Sequence, residues 1–137
     1  MARILAIDYG RRRTGLAVSD PLQLIAGALA TVETKELERW LADYFRREEV
    51  STIVLGKPTQ MNGQPSETWR YIEPLAGRLR HAYPDKEVVF YDERFTSVLA
   101  HRAMIDGGMK RSDRRDKAVV DKIAATIILE DYLQYRR

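Results

Sequence analysis

Apolar and polar positions along this chain switch between a period of two and a period of three to four, and the switches mark its elements. Arg3 to Ile7 is a short apolar run that stops at Asp8-Tyr9-Gly10. After the basic turn Arg11-Arg12-Arg13, Thr14 to Ser19 resumes the extended pattern, which predicts two antiparallel strands joined by a tight loop. Leu24 to Val32, beyond the Asp20-Pro21 turn, offers a third strand. From about Lys35 to Glu48, Leu37, Trp40, Leu41, Tyr44 and Phe45 recur at helical spacing, which predicts an amphipathic helix with Thr34 as its N-cap. Thr52 to Leu55 reads as a buried parallel strand.

Gly56 to Pro65 is expected to be a loop. Ser66 opens a second helix, with Trp69, Ile72, Leu75, Ala76 and Leu79 on one stripe, Pro74 placed to bend it and Pro84 beyond its end. Glu87 to Tyr91 is a fifth strand, stopping at Asp92-Glu93-Arg94. Thr96 or Ser97 caps a third helix through about Ile105, Gly107-Gly108 ends it, and a last helix runs from about Asp116 to Tyr135. The order β-β-β-α-β-α-β-α-α predicts an α/β fold. Its mixed five-stranded sheet has three antiparallel strands, then two parallel ones, with helices on both faces.

At 137 residues the chain is expected to be a single domain, 1–137. It has no cysteine, which excludes thiol catalysis, Cys-ligated zinc and iron-sulfur clusters. The first apolar run meets Asp8 too early for a signal-peptide core and no run approaches a membrane span, so a cytoplasmic protein without a membrane partner is expected. The net charge is only +3, but five basic residues against two acidic ones lie between Gly108 and Lys117. With Arg11, Arg12 and Arg13, this loop offers Lys110, Arg111, Arg114, Arg115 and Lys117 to a polyanion. Charged loops of this kind equally serve solubility.

Three acidic positions interrupt apolar patterns. Asp8 ends the first strand, at the sheet edge where ligands bind in such folds, although an Asp there also forms turns. Asp92 and Glu93 end the fifth strand, and alternation sends only one of them to a shared site. Asp121 shares a face of the last helix with Ala118, Ala124, Ala125, Ile128 and Tyr132, so it faces the sheet and needs a cation, a basic partner or a proton. Three carboxylates converging from separate elements call for a counterion, and hard oxygen donors suit Mg²⁺ or Mn²⁺. Such ions set against phosphate point to phosphodiester hydrolysis. His81 and His101 are not placed to act as the base.

The segment Ile4-Leu5-Ala6-Ile7-Asp8-Tyr9-Gly10, with Arg13-Thr14-Gly15-Leu16-Ala17-Val18-Ser19-Asp20, resembles the opening motif of the YqgF family, RuvC-like nucleases of the RNase H fold. Gly56-Lys57-Pro58 with Met61-Asn62-Gly63, then Asp92-Glu93-Arg94-Phe95-Thr96-Ser97, then Asp121 with Ala124-Ala125 and Ile127-Ile128-Leu129 agree in order and spacing. The resemblance implies an RNase H-like sheet and a metal-dependent nuclease that matures the 5′ end of pre-16S rRNA on ribosomal precursor particles. It places the catalytic, metal-holding set on Asp8, Glu93 and Asp121. Lys57 stands where many members carry an apolar residue, so it is either a phosphate contact or a solvated charge. Arg94 is divided in the same way between phosphate and a carboxylate partner. The alternative substrate is branched DNA, as for a Holliday-junction resolvase, but the fourth carboxylate of the resolvases proper is replaced by Ala124. A non-catalytic RNA-binding assembly factor is the alternative of a different class. A monomer or weak homodimer is expected.

Overall fold

The computed structural model describes residues 2–58, 66–93 and 117–136, the last stretch in side-chain detail from residue 121. Strand β1 (Arg3–Asp8) is buried from Ile4 to its end and holds the centre of a five-stranded sheet ordered β3-β2-β1-β4-β5. β2 (Arg13–Ser19) pairs antiparallel with β1, and β3 (Ala26–Glu33) antiparallel with β2. On the other side β4 (Val50–Lys57) runs parallel to β1, and β5 (Glu87–Asp92) parallel to β4. Three antiparallel strands are thus followed by two parallel ones, as the pattern predicts.

Alternation along β1 separates two cores. Leu5 and Ile7 meet Leu16, Ile53 and Leu55, under α1 (Leu37–Arg47) and α2 (Trp69–Ala82), which contribute Leu37, Leu41, Ile72, Leu75 and Leu79. Ile4 and Ala6 point the other way and meet Ala17 and Val54 beneath α3 (Lys117–Tyr135), which supplies Ala124, Ala125, Ile128 and Leu129. Each fully buried Leu or Ile stabilises the fold by roughly 1.5–3 kcal/mol. Small residues on this second face bring α3 close to the sheet. Among the described residues, no helix is long and apolar enough to cross a membrane.

Several boundaries move for identifiable reasons. β3 starts at Ala26 instead of Leu24 because the Asp20 carboxylate accepts hydrogen bonds from the N–H groups of Leu22, Leu24 and Ile25, holding that segment as a loop. Gln23 adopts a left-handed φ of 60° at its turn. Thr34 does not cap α1; its hydroxyl donates to the Gly10 carbonyl and meets the Thr14 hydroxyl, and Thr34–Glu36 is a 3-10 turn leading into the helix. β4 extends to Lys57, so Gly56 and Lys57 belong to the sheet. α2 begins at Trp69, after a turn that starts at Ser66, and Pro74 lies inside it. The helix predicted from Thr96 or Ser97 to Ile105 lies outside the described residues.

Candidate active site

Asp8, the last residue of β1, is only 5% exposed and pairs across the antiparallel ladder with Gly15. Ile7 pairs with Leu55 on the parallel side, so Gly56 flanks Asp8 there. Neighbouring strands lie about 4.8 Å apart. Gly15, Asp8 and Gly56 therefore form a row across three strands, on the face covered by α3.

Each glycine of that row lies under another acidic residue. A Cβ on Gly15 would collide with the Asp121 backbone and stand 3.1 Å from its Cβ. A Cβ on Gly56 would stand 3.0 Å from Glu93 Oε1 and 2.8 Å from Ile128 Cδ1. The missing side chains let α3 and the segment after β5 close down on either side of Asp8. Asp8, Glu93 and Asp121, far apart in the chain, are brought to one end of one face of the sheet.

The geometry distinguishes Glu93 from Asp92. In β5, Val88 and Phe90 pack toward α2, whereas Val89 and Tyr91 pack toward α3. Asp92 follows the first set, beside Lys57 in the ladder. Glu93 is 1% exposed and presents its carboxylate over Gly56, on the Asp8 side.

Asp121 has a basic partner: Arg13 Nε donates to its Oδ2 at 3.1 Å, joining β2 to α3. Among the described residues, no three carboxylate or imidazole groups close into a metal-holding cluster. The donor set is nonetheless all hard oxygen, two of the three residues are buried, and hydrogen atoms of glycine replace side chains beneath Glu93 and Asp121. These features fit Mg²⁺ or Mn²⁺.

The cations divide into several settings. Arg11 and Arg12 are exposed in the loop after β1, and with Arg13, Glu33 and Lys35 they line a cleft of about 500 Å³. Arg13 is shared between this cleft and Asp121. Lys57 holds its Nζ 4.9 Å above the Trp69 ring, which meets Phe90 edge-on at 4.9 Å between centroids. Trp40 and Trp69 are partly buried against the core, as their stripes predict, and His81 is exposed near the end of α2. Arg94, Lys110, Arg111, Arg114 and Arg115 lie outside the described residues, and Lys117 is placed only as the first residue of α3. Sequence reasoning overlooked Lys35, Arg70 and Tyr71. Lys35 follows the predicted cap and Arg70 and Tyr71 belong to a core-forming helix, so spacing alone carries no signal for them.

A family model described as RuvX, Holliday junction resolvase, matches residues 2–135. A relative from Phocaeicola vulgatus, provisionally named a pre-16S rRNA nuclease, is 55% identical over the whole of this chain and 99% of its own length. One of the same name from Bacteroides fragilis is 53% identical over the same shares. Among solved structures, the RuvC of T. thermophilus in complex with a Holliday junction substrate superposes with a TM-score of 0.59. It is 19% identical and is matched over 99% of this chain and 96% of its own. That likeness shows the fold, an RNase H-like sheet of the RuvC type.

Proposed function

Because the chain belongs to the RuvX (YqgF) family, we propose that it is a nuclease hydrolysing RNA phosphodiesters in 5′-end maturation of pre-16S rRNA, in the cytoplasm and with Mg²⁺ or Mn²⁺. The observation that carries this reading is the row Gly15-Asp8-Gly56, over which Asp121 and Glu93 close from either side.

Asp8, Glu93 and Asp121 would hold the ion. When bound, a divalent ion of this kind activates water for attack on phosphorus and offsets charge on the leaving oxygen. Asp8 supplies a fixed carboxylate, because its backbone is locked between two strands and its side chain is almost wholly buried. Glu93 is fixed by burial over Gly56. Arg11 and Arg12 hold backbone phosphate in the cleft beside this edge, where Lys35 is paired with Glu33 at 3.5 Å, with Lys57 and the basic residues after Gly108 extending the contact.

RNA is favoured over junction DNA by the full-length relatives named for pre-16S rRNA. The description of the family model favours the second reading, a junction resolvase. Against it, the resemblance to resolvases implies a fourth carboxylate three residues after Asp121, where this chain has Ala124, 1% exposed and packed on the sheet. The discriminating experiment incubates the purified chain with an end-labelled precursor-16S 5′ leader or a four-way DNA junction, in Mg²⁺, Mn²⁺ or EDTA. Ion-dependent cleavage of the leader is expected. Paired symmetric nicks confined to the junction support the resolvase. Retained RNA binding with no cleavage under either ion replaces the enzyme with a binding factor.

A further inference from the structure

Two guanidinium groups from distant parts of the chain meet on one phenol at the same end of the sheet. Arg70 Nη2 donates to the Tyr71 hydroxyl at 3.0 Å, and Arg11 Nη2 donates to the same oxygen at 3.4 Å. Their Cζ atoms stand 5.1 Å and 5.3 Å from the centroid of the Tyr71 ring. Arg11 lies three residues beyond Asp8, and Arg70 and Tyr71 lie in the first turn of α2. Among the described residues, neither arginine forms an ion pair; Glu67 acts on Arg70 only from beyond ion-pair range.

A phenol carries one donor hydrogen besides its acceptor lone pairs. Both arginine bonds use the Tyr71 oxygen as acceptor, which leaves its O–H to donate. The exposed cluster therefore holds two cationic groups with further N–H donors and one hydroxyl donor, and more donors than acceptors. The hydrogen bond from Arg70 and the charges of both arginines hold the Tyr71 hydroxyl below its ordinary pKa, the sign expected where negative charge is favoured. An oxyanion satisfies all three groups at once, since charge-assisted bonds from a guanidinium fork and a hydroxyl converge on phosphate oxygens.

We propose that Arg70, Tyr71 and Arg11 form a backbone-phosphate subsite for the RNA strand, continuing the Arg11–Arg12–Lys35 cleft onto α2. The inference rests on the nucleic-acid reading above, but not on cleavage. The subsite contacts backbone phosphate alone and so carries no base preference. Arg78 lies on the same helix but is paired with Glu38 at 3.1 Å, which makes it a built-in control.

The test is fluorescence anisotropy of a labelled 12-nucleotide oligouridylate in EDTA, where binding is read without cleavage, over a series of salt concentrations. Arg70→Gln is expected to weaken binding about threefold to tenfold and to reduce the slope of log affinity against log salt by about 0.7. Tyr71→Phe, which keeps the ring and changes no charge, is expected to weaken binding while leaving the slope intact. Arg78→Gln is expected to change neither. An unchanged slope in Arg70→Gln, or an equal loss in Arg78→Gln, overturns the subsite, as does wild-type chain that binds no oligouridylate. Inorganic phosphate competing as well as the oligonucleotide, phosphate for phosphate, overturns its assignment to a strand. Melting curves of each variant exclude unfolding as the cause. Loss of cleavage elsewhere with these results intact would overturn the nuclease reading alone.

Discussion

Arg13 and Asp121, 108 residues apart in the chain, are joined by a 3.1 Å ion pair that ties β2 to α3 directly beside Gly15. The pair couples two roles: Arg13 borders the basic cleft, and Asp121 is one of the three carboxylates proposed to hold the ion. A cation that neutralises Asp121 also competes with a metal for it.

Arg13→Gln is accordingly expected to change stability little and ion binding more. The side chains are 40% and 26% exposed, and a solvent-screened pair of this kind contributes about 0.5–1 kcal/mol. Removing that competition lowers the half-saturating Mg²⁺ concentration by about two- to fivefold. Isothermal titration with Mg²⁺ alone measures this. Weaker Mg²⁺ binding in the variant would show that Arg13 positions Asp121 for the ion and does not compete with it.

The two glycines of the row are expected to differ. At Gly15 an added Cβ meets the Asp121 backbone, which can move only if α3 moves. At Gly56 it meets the ends of the Ile128 and Glu93 side chains. Gly15→Ala should destabilise by about 3 kcal/mol or more, and Gly56→Ala by about 1–2 kcal/mol. Urea unfolding of the two variants checks the order, and a Gly15→Ala protein as stable as wild type would contradict the close packing of α3.

Asp20 gives a pH prediction. Its carboxylate accepts from Ile25 N–H at 2.7 Å, Leu24 N–H at 2.8 Å and Leu22 N–H at 3.1 Å. These bonds, that from Ile25 foremost, hold its pKa below the ordinary value. A carboxyl whose folded pKa is depressed adds stability above its unfolded pKa, near 3.9, and loses it as pH falls through the folded value. Asp20→Asn should melt below wild type at pH 7, and the gap should narrow as the pH falls below about 4. A gap that stays constant down to pH 2.5 would mean that the charge of Asp20 is unimportant to the loop.

The succession of elements and the two-faced sheet were legible because periodicity encodes which face a residue takes, and the central strands obey it; the spatial order β3-β2-β1-β4-β5 is set by pairings that periodicity does not encode. Asp8 was legible for a related reason, as a charge ending an apolar run. Asp92 and Glu93 could not be separated until the register of β5 showed which one shares a face with Asp8. The start of β3 was misplaced because the side chain of Asp20 captures N–H groups that extended residues would give to a ladder. Thr34 misled in the same way: its hydroxyl is used by Gly10 and Thr14, contacts made only once β1 and β2 are folded. The Arg13–Asp121 and Arg11–Tyr71 contacts span 108 and 60 residues, and no local pattern foretells such pairs.

The most direct test of the central claim is the single-turnover rate of precursor-16S leader cleavage by Asp8→Asn beside wild type, at saturating Mg²⁺. The substitution keeps the size of the side chain and removes the charge proposed to anchor the ion. A rate loss of about 10³-fold or more is expected, with melting temperature and oligouridylate affinity in EDTA retained. Cleavage within about threefold of the wild-type rate would contradict the assignment of Asp8, and with it the carboxylate site between Gly15 and Gly56.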